Sequence, residues 1–331
     1  MIDTIKGYIT LNQCNKSTFK DLLVNSKKTI TKNGCTKTFN LSNFIITISF
    51  DRKYNPTKLS FNGSLPKFYI GNNLFHLDWN QTKDAIQMLS DNLNVDISKA
   101  ILTRVDFGIN IPLNHSIHEY TACLLAFPRL GTMRYKDSVT FFTAINNRSF
   151  IFYDKVKELN KGRRETKIDL QNKTHENNIL RYEIQLKKYL NDRFRLKEVK
   201  VKDLFRATIQ KKLIEYWYNG YQKVEKISLG TDPEYLLKNR NGLNKYLSYH
   251  GIEKIGYDRI ISKISELEFE VKNNRSKLCK MRKEIKDLLR EVKENSKDKN
   301  LINELDEKIL YIKEYIFSNN SVPYFILENS F

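Results

Sequence analysis

A few residues in the middle of the chain have the types and spacings for phosphoryl-transfer chemistry. They are Arg104 and Asp106 in "LTRVDFGIN", Tyr153 and Lys155 in "SFIFYDKVKEL", and Arg181 and Glu183 in "ILRYEIQLKK". Within each pair one residue intervenes, so in an extended strand both members point to the same side. Asp106 and Glu183 are hard oxygen donors suited to Mg²⁺ or Mn²⁺, which would polarise a scissile phosphate and stabilise charge as it develops. Tyr153 would be the attacking group. A phenol has a pKa of about 10, so only roughly one molecule in a thousand is phenolate at neutral pH without help. Lys155, on the same side of the strand, would lower that pKa or neutralise the phosphate. Attack would leave a DNA end covalently on Tyr153 and conserve the energy of the broken phosphodiester for rejoining.

On spacing alone the structural readings stay open. Tyr153 would then be one of 18 tyrosines serving a sheet, and Asp106 and Glu183 would pair with Arg104 and Arg181 as ordinary ion pairs. The stretch "EYWYNGY" (215–221) could stack on exposed bases or pack a helix, and Tyr182, on the apolar side of its strand, reads as core.

These side chains need strands to hold them. "KAILTRVDFGINI" (99–111) alternates, with Val105, Phe107 and Ile109 against Arg104, Asp106 and Gly108. In "NILRYEIQLKK" (178–188), Leu180, Tyr182, Ile184 and Leu186 oppose Arg181, Glu183 and Gln185. A slip of one residue would reverse either set, so the alternation fixes a face. "FIITISF" (44–50), "KLSFNG" (58–63), "KFYIGNN" (67–73), "SVTFFTA" and "RSFIFYDK" also read as strands, the last two joined by an "INN" turn. Helices are predicted over 80–95, capped by Thr82 or Asn80, and over 116–127, ended by Pro128. The order suits an α+β fold, an antiparallel-rich sheet with helices on one face and polar residues on the other. Residues 156–177 read as a polar, basic loop.

From about 190 the character becomes helical and basic. Ile260, Ile264, Leu267, Val271, Asn274, Leu278, Met281, Ile285, Leu288 and Val292 follow at spacings of four and three, a heptad seam. After "ENSKDK" the pattern resumes with Ile302, Leu305, Ile309, Ile312 and Ile316. A long helical hairpin or a dimeric coiled coil would bury these stripes. The predicted divisions are 1–190 for the sheet unit, 191–255 for a basic helical region and 256–331 for the hairpin.

Composition limits the partners. The chain has 331 residues and 40% hydrophobic content, ample for a core, and its 57 Lys and Arg against 38 Asp and Glu leave a formal charge of +19. A surplus of that size points to a polyanion, nucleic acid ahead of an acidic membrane. No run approaches the roughly 20 apolar residues of a spanning helix, and "MIDTIKGYITLNQCNK" lacks the apolar core of a secretory signal, so an intracellular, cytoplasmic location is expected. Cys14, Cys35, Cys123 and Cys279 have no paired spacing, which indicates neither a zinc site nor a disulfide framework.

In order and approximate spacing, "YIGNNLF", "LTRVDFGIN", "SFIFYDKVKEL" and "ILRYEIQLKK" resemble the gene II/X family of phage and plasmid replication initiators, relatives of the HUH rolling-circle endonucleases. The resemblance covers roughly residues 40–190, and "LNKYLSYHGIE" (243–253) is weakly similar to the family's C-terminal region. It implies an HUH/Rep-like fold and a metal-dependent nickase that cuts one origin strand, stays linked to the 5′ phosphate and frees a 3′ hydroxyl for a polymerase. Carried over, the family's tyrosine falls on Tyr153, its strand aspartate on Asp106 and its later glutamate on Glu183. The chain departs from the HUH pattern in having no two histidines flanking one apolar residue; the nearest sequence is "HLD" from His76 to Asp78. Asn72 stands where filamentous-phage members carry a histidine, so the third ligand is open among Asn72, His76 and Glu158. The expected DNA contacts are Arg104, Arg148, Arg163, Arg164 and Arg181. The expected partners are single-stranded or locally melted origin DNA and a host helicase and polymerase, with self-association through the C-terminal helices. The alternatives are a conjugative or mobilisation relaxase and a non-catalytic origin-binding protein or repressor.

Overall fold

The computed structural model describes residues 1–11, 19, 21–24, 26–32, 34–160, 178–227, 233–238, 240–270, 275–295, 300–319 and 321. Cys14, most of the expected basic loop, and Val271 and Asn274 of the heptad seam lie outside the described residues. Strands β1 (Ile2–Thr10), β2 (Lys27–Thr31), β3 (Gly34–Leu41), β4 (Phe44–Phe50) and β5 (Pro56–Ser64) come first. Helices α1 (Leu65–Ile70) and α2 (Trp79–Leu93) follow, then β6 (Ile101–Pro112), α3 (Ile117–Cys123), β7 (Leu124–Ala126), β8 (Gly131–Tyr135), β9 (Ser138–Phe142) and β10 (Arg148–Asp154). Next are α4 (Lys155–Asn160), β11 (Ile179–Leu186), α5 (Leu190–Phe194), α6 (Ala207–Gln222), β12 (Glu225–Lys226), α7 (Gly242–Ile255), α8 (Tyr257–Glu270), α9 (Arg275–Asn295) and α10 (Asn300–Asn319). Ten strands form one antiparallel sheet in the order β2-β3-β4-β5-β1-β6-β11-β10-β9-β8, and β12 pairs with β7 apart from it. The fold is the mixed α+β class expected.

One face of the sheet is apolar across its central strands. Val105, Phe107, Ile109, Phe150, Phe152, Tyr182 and Ile184 are all buried there, in the alternation that the sequences of β6 and β11 display. Helix α6 lies on this face: Trp217 meets Tyr182 at 5.0 Å between ring centroids, and Tyr182 stacks on Phe152 at 4.2 Å. The Tyr182 hydroxyl donates to Trp217 O at 2.8 Å and Trp217 Nε1 donates to Tyr182 O at 3.1 Å. "EYWYNGY" is therefore helix packing. Gly220 permits the approach, since a Cβ there would meet Phe150 at 2.2 Å.

Four elements differ from expectation. The helix predicted over 116–127 ends at Cys123, where strand β7 takes over. "KFYIGNN" is not a strand: Ser64 caps the short helix α1 by accepting from Lys67 N, Pro66 sits in its first turn and Gly71, at φ 81°, ends it. Helix α2 is capped by Asp78 in a capping box with Gln81, ahead of the predicted Asn80 or Thr82. The C-terminal stripes also find different covers. Arg282 Nη2 donates to Ser265 Oγ at 3.1 Å, a contact that folds α9 back on α8, since 17 residues of unbroken helix would span about 25 Å. Ile285, Leu288 and Val292 join Tyr249 and Ile252 of α7 in a second, smaller core. Leu305, Ile309, Ile312 and Ile316 of α10 instead enter the main core. Tyr221 and Lys226 hold α10 through Asp306 at 2.5 and 2.8 Å, and Lys308 Nζ donates to Pro112 O at 2.6 Å. Helix α10 thus shares the core of the sheet, while α7 and α9 build the second one.

This docking makes a test. Ile309→Ala should destabilise the chain by about 2–5 kcal/mol, whereas Met281→Ala, at a seam position 37% exposed in α9, should cost well under that. Equal losses in thermal or urea unfolding would instead favour a hairpin of α9 with α10.

Candidate active site on the open face of the sheet

The opposite face of the sheet carries the polar partners of those alternations. Tyr153 pairs with Arg181, which pairs with Asn110. The next row is Ile151, Glu183 and Gly108, and the one after is Ser149, Gln185 and Asp106. Tyr153, Arg181, Glu183, Asp106 and Arg104 therefore share one face, as their spacing predicts. They do not form one tight knot. Asp106 lies four residues along and two strands across from the Tyr153 row, about 13 Å by about 10 Å between backbones.

At the centre is Arg181, 1% exposed. Its Nη2 donates to Asp3 Oδ2 at 2.6 Å, its Nε to Glu183 Oε2 at 3.1 Å and its Nη1 to Asn110 Oδ1 at 3.1 Å. Burial alone would lower its pKa, but Asp3, Tyr153 and Glu183 hold it above the usual arginine value. Burial likewise would raise Asp3, and Arg181, Ser64, Lys155 and Asn73 overcome it, so this carboxyl lies below the ordinary range. Gly108 makes room, because a Cβ there would come within 3.0 Å of both Arg181 Nη2 and Glu183 Cβ. Asn73 bridges outward, donating to Asp3 Oδ2 at 3.4 Å and accepting from Lys155 Nζ at 2.7 Å.

Lys155 does not extend strand β10; it opens helix α4. Its amine still reaches the site, 6.0 Å from the Tyr153 ring centroid, and donates to Glu158 Oε2 at 2.6 Å. Burial, reinforced by Arg181, lowers its pKa to about 8. The Tyr153 phenol moves the other way. Burial pushes it well above 10, and the leading opposing influence is Arg181. The cation that most favours the Tyr153 phenolate is thus Arg181, where the sequence pointed to Lys155.

The metal candidates have distinct surroundings. Asp106 is gripped by Arg104, whose Nε donates to Oδ1 at 2.8 Å and to Oδ2 at 3.0 Å. Even so, burial with the charges of Glu183 and Asp3 raises Asp106 to about 7. Glu183 also accepts from Gln185 Nε2 at 2.9 Å. His76 Nε2 accepts the backbone N–H of Asn110 at 2.8 Å, and burial keeps the ring neutral by pulling its pKa well below 6.5. Strand β1 pairs with β6 only as far as Phe107, so the Asn110 N–H has no strand partner and the imidazole takes that place. With its Nε2 lone pair engaged, His76 acts here as a structural acceptor. Asn72 Oδ1 accepts from Leu74 N at 3.1 Å and shapes the same loop. Glu158 pairs with Lys155 and, at 3.7 Å, with Lys67. Among the described residues no group of three or more His, Cys, Asp and Glu converges as a ready metal cage.

The expected DNA contacts divide as well. Arg104 is committed to Asp106 and Arg181 is buried. Arg148 shares the parity of Phe150 and Phe152, which sends it to the helix-covered face. Arg163 and Arg164 lie outside the described residues. The open face instead continues toward β2 with residues that the sequence pattern did not single out. Tyr8, Ser60, Thr47, Thr38 and Lys27 form one row across five strands, and Lys58 Nζ sits 4.0 Å over the Tyr8 ring. Asp3, Asn73 and Asn110 were missed too. For Asn110 the signal was present, since it continues the Arg104, Asp106, Gly108 alternation.

A family model describing the N-terminal part of a phage replication-associated protein matches residues 1–205. The chain belongs to this replication-protein family. Among solved structures, a rolling circle replication initiator protein from Geobacillus stearothermophilus is similar at a TM-score of 0.38 and 12% identity, over 75% of this chain and 95% of that one. No curated protein gives a significant match. In this member of the phage replication-protein family the polar row around Arg181 lies wholly within the matched residues. No helix among the described residues is long and apolar enough to cross a membrane.

Arg181→Gln should therefore lower stability by about 3–5 kcal/mol near pH 8, because it leaves Asp3 and Glu183 buried without their cation. The loss should shrink at pH 4.5, because Asp3, no longer held low by Arg181, takes up a proton on folding. Urea unfolding at the two pH values measures both, and an equal loss at each would show that Arg181 acts through packing alone.

Proposed function

We propose that this chain starts rolling-circle replication by nicking one strand of origin DNA with Tyr153. The observation that carries the reading is Tyr153 on the uncovered face, paired in register with a buried arginine that offsets the charge its oxygen would carry. The phenolic oxygen attacks the scissile phosphorus and the bond from phosphorus to the 3′ oxygen breaks. The phenol gives up its proton, the leaving 3′ oxygen takes one up, and the products are a 5′-phosphotyrosine and a 3′ hydroxyl primer. Because burial holds the free phenol neutral, ionisation has to accompany attack, with Arg181 beneath it. Lys155, donating to Asn73 and Glu158, contributes a second positive charge beside the incoming phosphate. Single-stranded or locally melted DNA would lie along the open face, its bases free to meet Tyr8 and its phosphates near Lys58 and Lys27. A host helicase and polymerase would then use the melted strand and the new primer.

A divalent cation fits the acidic end of this face. Asp106 is raised to about 7 by burial, with Glu183 and Asp3 adding to the effect, so the grip of Arg104 does not fully offset the cost of a buried carboxylate there. Asp106 and Glu183 are the residues that would hold Mg²⁺ or Mn²⁺, with water and substrate phosphate completing an oxygen shell. Such an ion would polarise the scissile phosphate.

The deciding experiment compares wild type with Tyr153→Phe on single-stranded origin DNA in the presence of Mn²⁺. Wild type should give a protein-linked DNA band and the mutant none; binding without that band in wild type would favour an origin-binding protein without nickase activity. Two pH effects should accompany it. Lys155 is charged below about 8 and loses its charge above, so the cleavage rate should fall on the alkaline side and the fall should disappear in Lys155→Arg. Asp106, whose folded pKa is raised, is protonated below about 7. Mn²⁺ affinity, measured by calorimetry, should therefore rise about tenfold per pH unit between 5.5 and 7 and flatten beyond, a dependence that Asp106→Asn removes.

A further inference from the structure

The register that removes Arg148 from the Tyr153 face places it in a second cationic site. Between β10, α5 and α6, on the helix-covered side, is a cavity of about 510 Å³ whose lining includes Arg148, Arg193, Arg195, Lys212 and Lys223, with Glu215 as its carboxylate. Among the described residues none of these five cations forms an ion pair, and Glu215 lies 3.9 Å from Lys211 instead. The contrast with the open face is direct, since Arg104 and Arg181 are both locked to carboxylates there.

Neutral groups hold three of these cations in place. The Arg148 guanidinium lies 5.3 Å from the Phe150 ring centroid and Arg193 lies 5.9 Å from that of Tyr216. Lys212 Nζ donates to Phe194 O at 3.0 Å. Arg148 Nε is buried and has no hydrogen-bond partner. Burial and the neighbouring charge of Arg193 both lower the Arg148 pKa, the sign of like charges gathered without a counter-ion. A folded chain tolerates such a cluster where an anion completes it.

We propose that this cleft binds backbone phosphates of duplex DNA, at a site separate from the strand held against Tyr153. The aromatic rings are already engaged, Phe150 and Tyr216 by guanidinium groups and Phe127 by stacking on Phe150 at 4.7 Å, so the cleft offers above all charge and forked donors for phosphate. That disfavours a free nucleotide and favours contact independent of sequence. The sheet stands between the cleft and Tyr153, so a strand on one face does not continue directly onto the other; the cleft suits the double-stranded flank of the nick site. From the nickase reading this takes only that DNA is the ligand.

The test uses the full chain carrying Tyr153→Phe, so that binding is scored without cleavage, and adds R193Q with R195Q. Fluorescence anisotropy with a blunt duplex oligonucleotide across a salt series should show affinity falling about tenfold and the slope of log affinity on log salt shrinking by roughly two, one for each phosphate no longer neutralised. On a Tyr153 background the same double variant should cleave a short single strand at the wild-type rate and melt at the wild-type temperature. An unchanged duplex affinity and slope in the folded variant would overturn the proposal. So would calorimetric binding of inorganic phosphate alone that the variant loses while duplex affinity stays constant, which would make the cleft a small-anion site. If duplex binding falls as expected but wild type never forms a protein-linked band, the nickase reading fails and this one stands.

Discussion

The buried guanidinium of Arg181 is the interaction on which the rest of the site depends. A charge removed from water must be matched by opposite charge and hydrogen bonds at close range, and here the partners come from three strands. Asp3 is on β1, Asn110 on β6 and Glu183 on β11 itself, while Tyr153 faces Arg181 from β10. Each partner is in place only if the strands are in register, because a shift of one residue would turn it to the apolar face. The loop after α1 is drawn in too: Asn73 bridges Asp3 to Lys155, and His76 closes the backbone of β6 where β1 stops. Positioning of Tyr153 and charge balance beneath it are thus the same constraint.

Much of this was legible because strand alternation is a strong signal when one face is buried. The faces of β6 and β11 follow from Val105, Phe107, Tyr182 and Ile184 alone, and with them the shared face of Asp106, Arg181, Glu183 and Tyr153. What alternation does not encode is distance along the strand or depth. Both Arg181 and Arg104 read as exposed cations, yet one is an internal counter-ion and the other a clamp on Asp106. Asp3 was hidden because the register of β1 against β6 shifts between Ile2 and Ile5, which breaks the period that would have marked it. "KFYIGNN" misled for a different reason: its apolar run suits strand or helix, and Ser64, Pro66 and Gly71 around it decide for helix. The heptads of the last helices specified stripes that need covering without saying what covers them. In the folded chain a wide sheet face was available to α10, and burying its isoleucines there satisfies the same pattern.

The Tyr153 end of the open face and the cleft beside α6 handle charge in opposite ways. The proposed displacement at phosphorus needs charges at fixed positions, and around Tyr153 every buried cation is tied to named acceptors, with pKa values set by neighbours as well as by burial. Holding a polyanion needs the reverse, positive charge that no internal carboxylate has consumed. The open face toward β2 meets that need with lysines among hydroxyls, and the cleft beside α6 meets it with guanidinium groups resting on aromatic rings. The surplus of +19 is therefore not a uniform coat over the molecule. Around Tyr153 the buried cations are matched by Asp3, Glu183 and Glu158, and unmatched positive charge among the described residues gathers instead at Lys58 and Lys27 and beside α6.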